Sequence, residues 1–398
     1  MTIVTVNINI KMKEIYLDNS ATTRVYSNVV SKMKEVFEEN YGNPSSMHEM
    51  GSNAFEVVEN ARGKIAKFVG AKPGEIIFTS GGTESNNLAI FGIARANPSK
   101  KHIITSVIEH PSVLEVVRAL EREGYKIDYV SVNSEGLVNV KEIKEKIKED
   151  TLLVSVMHVN NEIGTIQPVE EIGSVCRGKG VYFHTDAVQS FKKIDIDVEK
   201  MNIDLMSVSG HKIGGPKGVG LLYIREGVRI SPLFHGGGQE RGIRSGTLNV
   251  SGIVGLAESL NFIVDRERLK RIRDKMIEEF EKIPNVRING SKEKRIYNNI
   301  NISFYGIEGE GLMLKLNDAG IYVSTGSACA STKLEESYVL KAIGVDELYV
   351  HGSIRITLGD IKEEDISYVV SKITESVREL RKMSPFKINL EGENGKNN

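Results

Sequence analysis

Apolar residues along the chain fall into two alternating spacings. Short dense runs, EIIFTS, HIITSVI, KIDYVSV, TLLVSVMHV, VYFHTD, IDLMSVS and GVGLLYI, read as strands. Between them, apolar residues recur at three- and four-residue steps. GGTESNNLAIFGIA, PSVLEVVRALEREG with Pro111 at its start, and the segment after Pro168 therefore read as helices. Two earlier helices are predicted over Asn28 to Glu39 and about Ser52 to Val69, joined by the turn-rich YGNPSSMHEMG. Strand alternating with helix predicts an α/β fold, a mostly parallel sheet with both faces covered. After Thr247 the rhythm changes. One long helical pattern is predicted from about Ser251 to Lys282. Strand NNINISF, helix GEGLMLKLNDAG, strands IYVS and GSIRITL, and a helix from Glu363 to Lys382 follow as a smaller α+β domain. The expected division is an N-terminal extension at 1–15, a large domain at 16–250, a small domain at 251–385 and a polar tail at 386–398. The start of the large domain could also pack on the small one.

Composition narrows the class of protein. Of 398 residues, 40% are hydrophobic and 26% charged, which is the make-up of a globular protein with room for large cores. A formal net charge of -1 gives no electrostatic case for nucleic acid or an anionic membrane as partner. No apolar run is long enough to span a bilayer, and the N-terminus lacks the cleavage site of a signal peptide. The two cysteines, Cys176 and Cys329, cannot form a disulfide framework and suit a reducing compartment, so a cytoplasmic protein is expected.

The chemistry gathers at the ends of predicted strands. TSGGTESNN opens a helix, where Gly81, Gly82 and Thr83 can offer N–H groups and a hydroxyl to a phosphate; a glycine turn with Thr83 as N-cap is the plainer alternative. His110 and Asn161 stand at the ends of two strands. Asp186 and Gln189 follow a third in HTDAVQS. Lys212 lies in VSGHKIGGPKG, behind Ser209 and His211 and before a glycine-rich turn. In a parallel sheet, ligands sit outside the carboxyl ends of the strands, where these residues would meet. A lysine can hold an aldehyde cofactor as a Schiff base, and an aspartate can keep a pyridine nitrogen protonated. Together they predict chemistry on an amino acid with pyridoxal 5'-phosphate. Singly, each has an ordinary reading: a capping histidine, a turn asparagine, an aspartate cap, a surface lysine.

Three further features stay open on the residues alone. HGGGQERGIRSGT either binds a second face of the phosphate, using Thr247, or is a flexible loop. Arg355, in GSIRITL, either clamps a substrate carboxylate or makes a structural ion pair. Cys329, in STGSACAS, has small neighbours, which predict an accessible loop and a possible nucleophile. Cys176 falls in a helical pattern and reads as core.

YLDNSATT, YGNPSS, TSGGTESNN, IEHPSV, MHVNNEIG, HTDAVQS, SGHKIGGPKG, RSGTLN, STGSACAS and SIRITLG occur in one order from about Tyr16 to Pro385. Together they resemble the cysteine desulfurases of the NifS/IscS type, in the class V aminotransferase group of fold-type I pyridoxal-phosphate enzymes. The resemblance implies a homodimer that converts L-cysteine to alanine. Lys212 would hold the cofactor and move the substrate's Cα proton. Asp186 would pair with the ring nitrogen, Gln189 and Asn161 would contact the ring-oxygen side, and His110 would stack on the ring. Gly82, Thr83, Ser209 and His211 would hold the phosphate, with Thr247 added from the second subunit. Arg355 would take the substrate carboxylate, with Asn161 near the substrate. Cys329 would take the sulfur as a persulfide and pass it to an acceptor or iron–sulfur scaffold protein, with a further possibility that it ligates a nascent cluster. The longer loop ASTKLEESYVL resembles the group that serves iron–sulfur cluster assembly. A selenocysteine lyase, another β-eliminating enzyme of the same cofactor, and a non-catalytic partner-binding scaffold are the alternatives.

Overall fold

The computed structural model describes residues 13–325 and 336–386. Its first elements are strand β1 (Ile15–Tyr16) and helices α1 (Ser27–Glu39) and α2 (Glu49–Phe68). Helix α2 begins earlier than its apolar spacing suggests, because His48 caps it by accepting from Gly51 N. Then come β2 (Ile76–Thr79), α3 (Gly82–Ala96), β3 (His102–Ser106), α4 (Pro111–Arg122), β4 (Lys126–Val130), α5 (Val140–Lys146), β5 (Thr151–Ser155), α6 (Val169–Lys179), β6 (Tyr182–Asp186), β7 (Leu205–Ser209) and β8 (Gly220–Ile224). Helix α5 is short and was not apparent from spacing. Asn139 caps it, accepting from Lys141 N and Glu142 N.

Strands β2 to β8 form a seven-stranded sheet in the order β2-β8-β7-β6-β5-β3-β4. All neighbours in the run from β7 to β4 are parallel; β8 is antiparallel to both β7 and β2. Burial follows the two-residue period of a strand. Ile76, Phe78, Ile104, Val154, Met206 and Leu221 enter one core, while Ile77, Ile103, Leu153, Leu205 and Leu222 enter the core on the opposite face. A sheet apolar on both faces needs helices on both, as the alternating sequence predicted.

The single helix expected from Ser251 to Lys282 is in fact two, α7 (Val250–Ser259) and α8 (Arg266–Phe280). Asp265 accepts from Arg268 N and starts the second, while Phe262 and Ile263 between them are exposed. Helix α7 packs against α1 and α2 in the first core, and α8 belongs to a separate one. That second core is completed by β9 (Val286–Ile288), β10 (Asn299–Phe304), α9 (Gly309–Asp318), β11 (Ile321–Tyr322), β12 (Ser353–Thr357) and α12 (Ile366–Met383). Strand β1 pairs in parallel with β11, with Ile15 opposite Ile321, so the chain enters the large sheet's surroundings from the second core. Two short helices, α10 (Tyr338–Ala342) and α11 (Glu347–Val350), lie before β12. The stretch read as loop through Leu340 therefore already contains helix from Tyr338 onward.

The Gly-rich HGGGQERGIRSGT is pinned at its centre. Glu240, 6% exposed, accepts two hydrogen bonds from Arg62, at 2.6 and 2.9 Å, and one from Phe78 N at 2.7 Å. The carboxylate thus satisfies the free edge of β2 and a buried guanidinium together. Removing one partner of such a pair leaves a buried charge uncompensated, which costs about 3–5 kcal/mol. Glu240→Leu is expected to lower the thermal unfolding midpoint by about 5–10 °C; an unchanged midpoint would show that Arg62 and Glu240 do not pair in solution.

Candidate active site

Five strands bring their carboxyl ends to one edge of the sheet. Thr79 ends β2 and leads to Gly81; Ser106 ends β3 and leads to His110; Ser155 ends β5 and leads to Asn161. Asp186 ends β6, and Ser209 ends β7 just before His211 and Lys212. The parallel register places these residues together, although the set spans more than a hundred positions of sequence.

Backbone geometry shapes the anion end. Gly81 has φ +155°, ψ -176°, a conformation that essentially only glycine adopts. It is the N-cap of α3 and makes no side-chain cap bond, so Thr83 is not the N-cap; it lies in the helix's first turn. A Cβ on Gly220 would meet Gly81 Cα at 2.7 Å, and one on Gly81 would meet Ser209 Oγ at 3.8 Å. The first turn of α3, with its unsatisfied N–H groups, therefore sits against the end of β7. Positive charge collects here as well. Burial and the neighbouring Lys212, Lys217 and Lys193 push the His211 imidazole down to about 4. Glu84, the carboxylate in this turn, is neutralised by Arg244 at 2.8 Å and held below the usual carboxylate range despite burial.

Lys212 projects from a tight turn. Its Nζ donates to Ser20 O at 2.5 Å and Ala21 O at 2.8 Å. Behind it, Gly214 has φ +82°, and a Cβ there would fall 1.9 Å from the Tyr26 ring, so that turn admits no side chain. Gln189 Nε2 donates to the same Ser20 carbonyl at 3.0 Å, which brings Gln189 and Lys212 to one point. Gln189 Oε1 accepts from Lys193 Nζ at 3.1 Å, fixing the amide's orientation. Burial pushes Lys193 down to about 7, reinforced by the positive charges of Lys212 and Arg355.

Asp186 is 4% exposed. Its Oδ1 accepts from Val188 N at 2.9 Å and its Oδ2 from Asn86 Nδ2 at 2.8 Å. His110 is both a cap and a site residue, since its Nδ1 accepts from Ser112 N at 3.1 Å at the start of α4. Burial lowers its pKa, against the raising effect of Asp186 and together with that of Lys212. Arg355, 3% exposed, makes the structural ion pair: Nη2 to Asp18 Oδ1 at 2.8 Å, with Nη1 on Asn161 O at 3.1 Å. Its buried Nε has no hydrogen-bond partner among the described residues.

Sequence reasoning assigned no role to Asp18, Ser20, Ala21, Asn86, Ser112 or Lys193. Asp18, Ser20 and Ala21 lie inside YLDNSATT, but nothing in their spacing ties them to Lys212. Asn86 could have been found: it stands three residues before Ala89 and four before Ile90, on the buried face of α3, where a polar side chain demands a partner. Thr247 lies on the exposed stretch before α7. Cys329 lies outside the described residues. Cys176 is fully buried, and burial pushes its thiol up to about 12, so it is an inert core residue.

These residues suit pyridoxal phosphate. A helix N-terminus and glycine cradle among lysines suit the phosphate. A buried carboxylate with a lone pair left on each oxygen suits a protonated ring nitrogen, and the Lys212 amine at the same sheet edge suits an aldehyde. The aminotransferase class-V family pattern matches residues 15–369. The chain belongs to the aminotransferase class-V family, and its fold is the fold-type I architecture of that group. Within the family it stands among the cysteine desulfurases. It is 50% identical over 387 residues to "Cysteine desulfurase IscS" of Methanosarcina thermophila, covering 96% of each chain. A solved "NifS-like protein" superposes with a TM-score of 0.87 at 42% identity, covering 92% of this chain and 100% of the other. "SspA in complex with cysteine" matches with a TM-score of 0.80 at 38% identity, over 87% and 99%. Among the described residues no helix is long and apolar enough to cross a membrane.

Proposed function

We propose that this chain is a pyridoxal-phosphate-dependent L-cysteine desulfurase. It converts L-cysteine to L-alanine, holds the sulfur as a persulfide on Cys329, and delivers it to an acceptor protein for iron–sulfur cluster assembly. The observation that carries this reading is the meeting of Lys212, Asp186 and His110 at one sheet edge beside a glycine phosphate cradle, with the buried Arg355 bonded to the carbonyl of Asn161. When bound, the cofactor supplies an electron sink for the bonds around the substrate's Cα and Cβ.

The chain's own residues do the rest. Gly82, Thr83, Ser209 and His211 would hold the phosphate, Asp186 the ring nitrogen, and Asn161 and Gln189 the ring-oxygen side. His110 would stack on the ring. Thr247 would serve the same phosphate from the second subunit of a homodimer. Arg355 binds the substrate carboxylate, using an N–H fork already fixed by Asp18 and Asn161. Lys212 Nζ carries the Cα proton. The Cys329 thiolate attacks the substrate sulfur: a new S–S bond forms, the Cβ–S bond breaks, its electron pair passes to Cβ, and a proton completes alanine. The persulfide sulfur is then available to an acceptor, or to a nascent cluster with Cys329 among its ligands. A reactive thiolate of this kind suits a reducing cytoplasm.

The test is an absorbance spectrum of purified protein with pyridoxal phosphate, before and after L-cysteine, with alanine and reducible sulfur assayed in the same tube. A visible band that shifts, with alanine and sulfur formed in equal amounts, is expected. Pyruvate in place of alanine would replace the desulfurase by a β-eliminating lyase, and absence of any band would remove the cofactor.

A further inference from the structure

Four side chains from three neighbouring elements form one hydrogen-bonded line beside the site. Asn86 of α3 is fully buried, Ser112 of α4 is 9% exposed, Asp186 ends β6 and His110 precedes α4. Asn86 Nδ2 donates to both Asp186 Oδ2 and Ser112 Oγ, each at 2.8 Å. Both amide hydrogens are therefore spent. The reverse orientation of the amide would press its carbonyl oxygen against a carboxylate, so the assignment of N and O follows from the neighbours. Asn86 Oδ1 is left buried with no partner among the described residues. An amide held at the expense of an orphaned carbonyl marks its two donations as the purpose of the residue.

The direction of the remaining bonds follows. Ser112 Oγ accepts from Asn86 and keeps its own hydrogen to give, and His110 Nδ1 lies 2.8 Å away. Ser112 N, which can only donate, also points at Nδ1, at 3.1 Å. A nitrogen facing two donors must present a lone pair, so the imidazole's proton is on Nε2. We propose that Asn86 and Ser112 are positioning residues that lock His110 as the neutral Nε2–H tautomer and tie it to Asp186 in one rigid unit. His110 thus carries its proton on Nε2, which can act only as a hydrogen-bond donor while this tautomer holds, and its basic lone pair is on Nδ1, where Ser112 covers it. The consequence for catalysis rests on the desulfurase reading above; the tautomer does not.

The charged groups that face the imidazole are Asp186, which favours the imidazolium, and Lys212, which opposes it. The adjacent buried Glu109 carboxylate turns away to Ser106 and Met157 N. Burial lowers the His110 pKa, which agrees with a neutral ring.

The experiment is long-range 1H–15N correlation on the pyridoxal-phosphate-loaded enzyme labelled with 15N-histidine. His110 is assigned among the eight histidines by the signal lost in His110→Gln. The expected wild-type pattern is a neutral ring protonated on Nε2 at neutral pH. In Ser112→Ala and Asn86→Ala, a donor to the neutral ring is lost or freed to rotate, and the His110 titration midpoint is expected to rise by about half to one pH unit. A wild-type ring protonated on Nδ1, or charged at neutral pH, overturns the proposal. So does a wild-type midpoint in both variants. If Asn86→Ala does not fold, Ser112→Ala decides alone, since the backbone N–H cap on Nδ1 remains. An enzyme that fails to make alanine while showing the Nε2–H ring would refute the desulfurase reading and leave this one standing.

Discussion

Lys212→Ala is expected to lower alanine formation from L-cysteine by at least about 10³-fold, with pyridoxal phosphate supplied in excess. The Lys212 amine is held by the carbonyls of Ser20 and Ala21, in a turn whose Gly214 leaves no room for a Cβ. Among the described residues the neighbouring lysines are engaged elsewhere: Lys193 on Gln189, and Lys192 Nζ donating to Ser259 O at 2.5 Å. Lys212→Arg separates the two tasks that a lysine performs here. Guanidinium keeps the positive charge but does not give up its proton in a protein, so it can neither attach to an aldehyde nor carry a proton between atoms. Both variants should therefore be equally inactive, while cofactor binding, read from absorbance after gel filtration, should weaken without disappearing because the cradle around Gly81 remains. Retention of more than a tenth of the activity in either variant would remove Lys212 from proton transfer.

The residues of that site differ in how visible they are in sequence. Lys212, Asp186 and His110 could be placed because each ends a run of strand-like residues, and a parallel sheet gathers such ends at one edge. The period-two burial of Ile76, Ile77 and Phe78 is the same regularity seen in three dimensions. The antiparallel course of β8 was not legible, since a buried strand has the same apolar density in either direction. Nor was the break between α7 and α8. Leu256, Leu260, Ile263 and Val264 continue a helix-like apolar spacing, and only the cap made by Asp265 interrupts it. The line from Asp186 through Asn86 and Ser112 to His110 was hidden for a different reason. Asn86, Asp186 and the His110–Ser112 pair stand on three different elements, so only the packing of α3 against α4 and β6 joins them. Arg355 shows that two readings of one residue need not compete. Its ion pair with Asp18 is structural, and that same pair aims the guanidinium.

Cys329→Ser is expected to reduce sulfur release and alanine formation from L-cysteine by at least about 10²-fold, with the absorbance change on substrate addition preserved. A thiolate is a strong nucleophile near neutral pH, whereas a serine hydroxyl without an adjacent base is not, so the substitution removes the attack on sulfur and nothing upstream of it. The chain approaching Cys329 is tied to the site. Ser324 pairs with Arg355 through Ser324 N to Arg355 O at 3.2 Å and Arg355 N to Ser324 O at 2.6 Å. Cys329 follows Ser324 by five residues, a length of chain that spans at most about 18 Å. Past the cysteine, Ser337 donates to the buried Glu162 at 2.5 Å and Tyr338 to Glu109 O at 2.5 Å, on the two loops that carry Asn161 and His110. Cys329 stands in the sequence between these two anchored segments. Its absence should therefore separate the steps cleanly: substrate binds and Lys212 moves its proton, yet the Cβ–S bond stays intact. The measurement is alanine, sulfide and spectrum together in the variant. Loss of sulfur and alanine with an intact spectral response places Cys329 at sulfur transfer. Full release of sulfur by the serine variant would mean that the sulfur leaves without Cys329, and the desulfurase mechanism would give way to direct elimination.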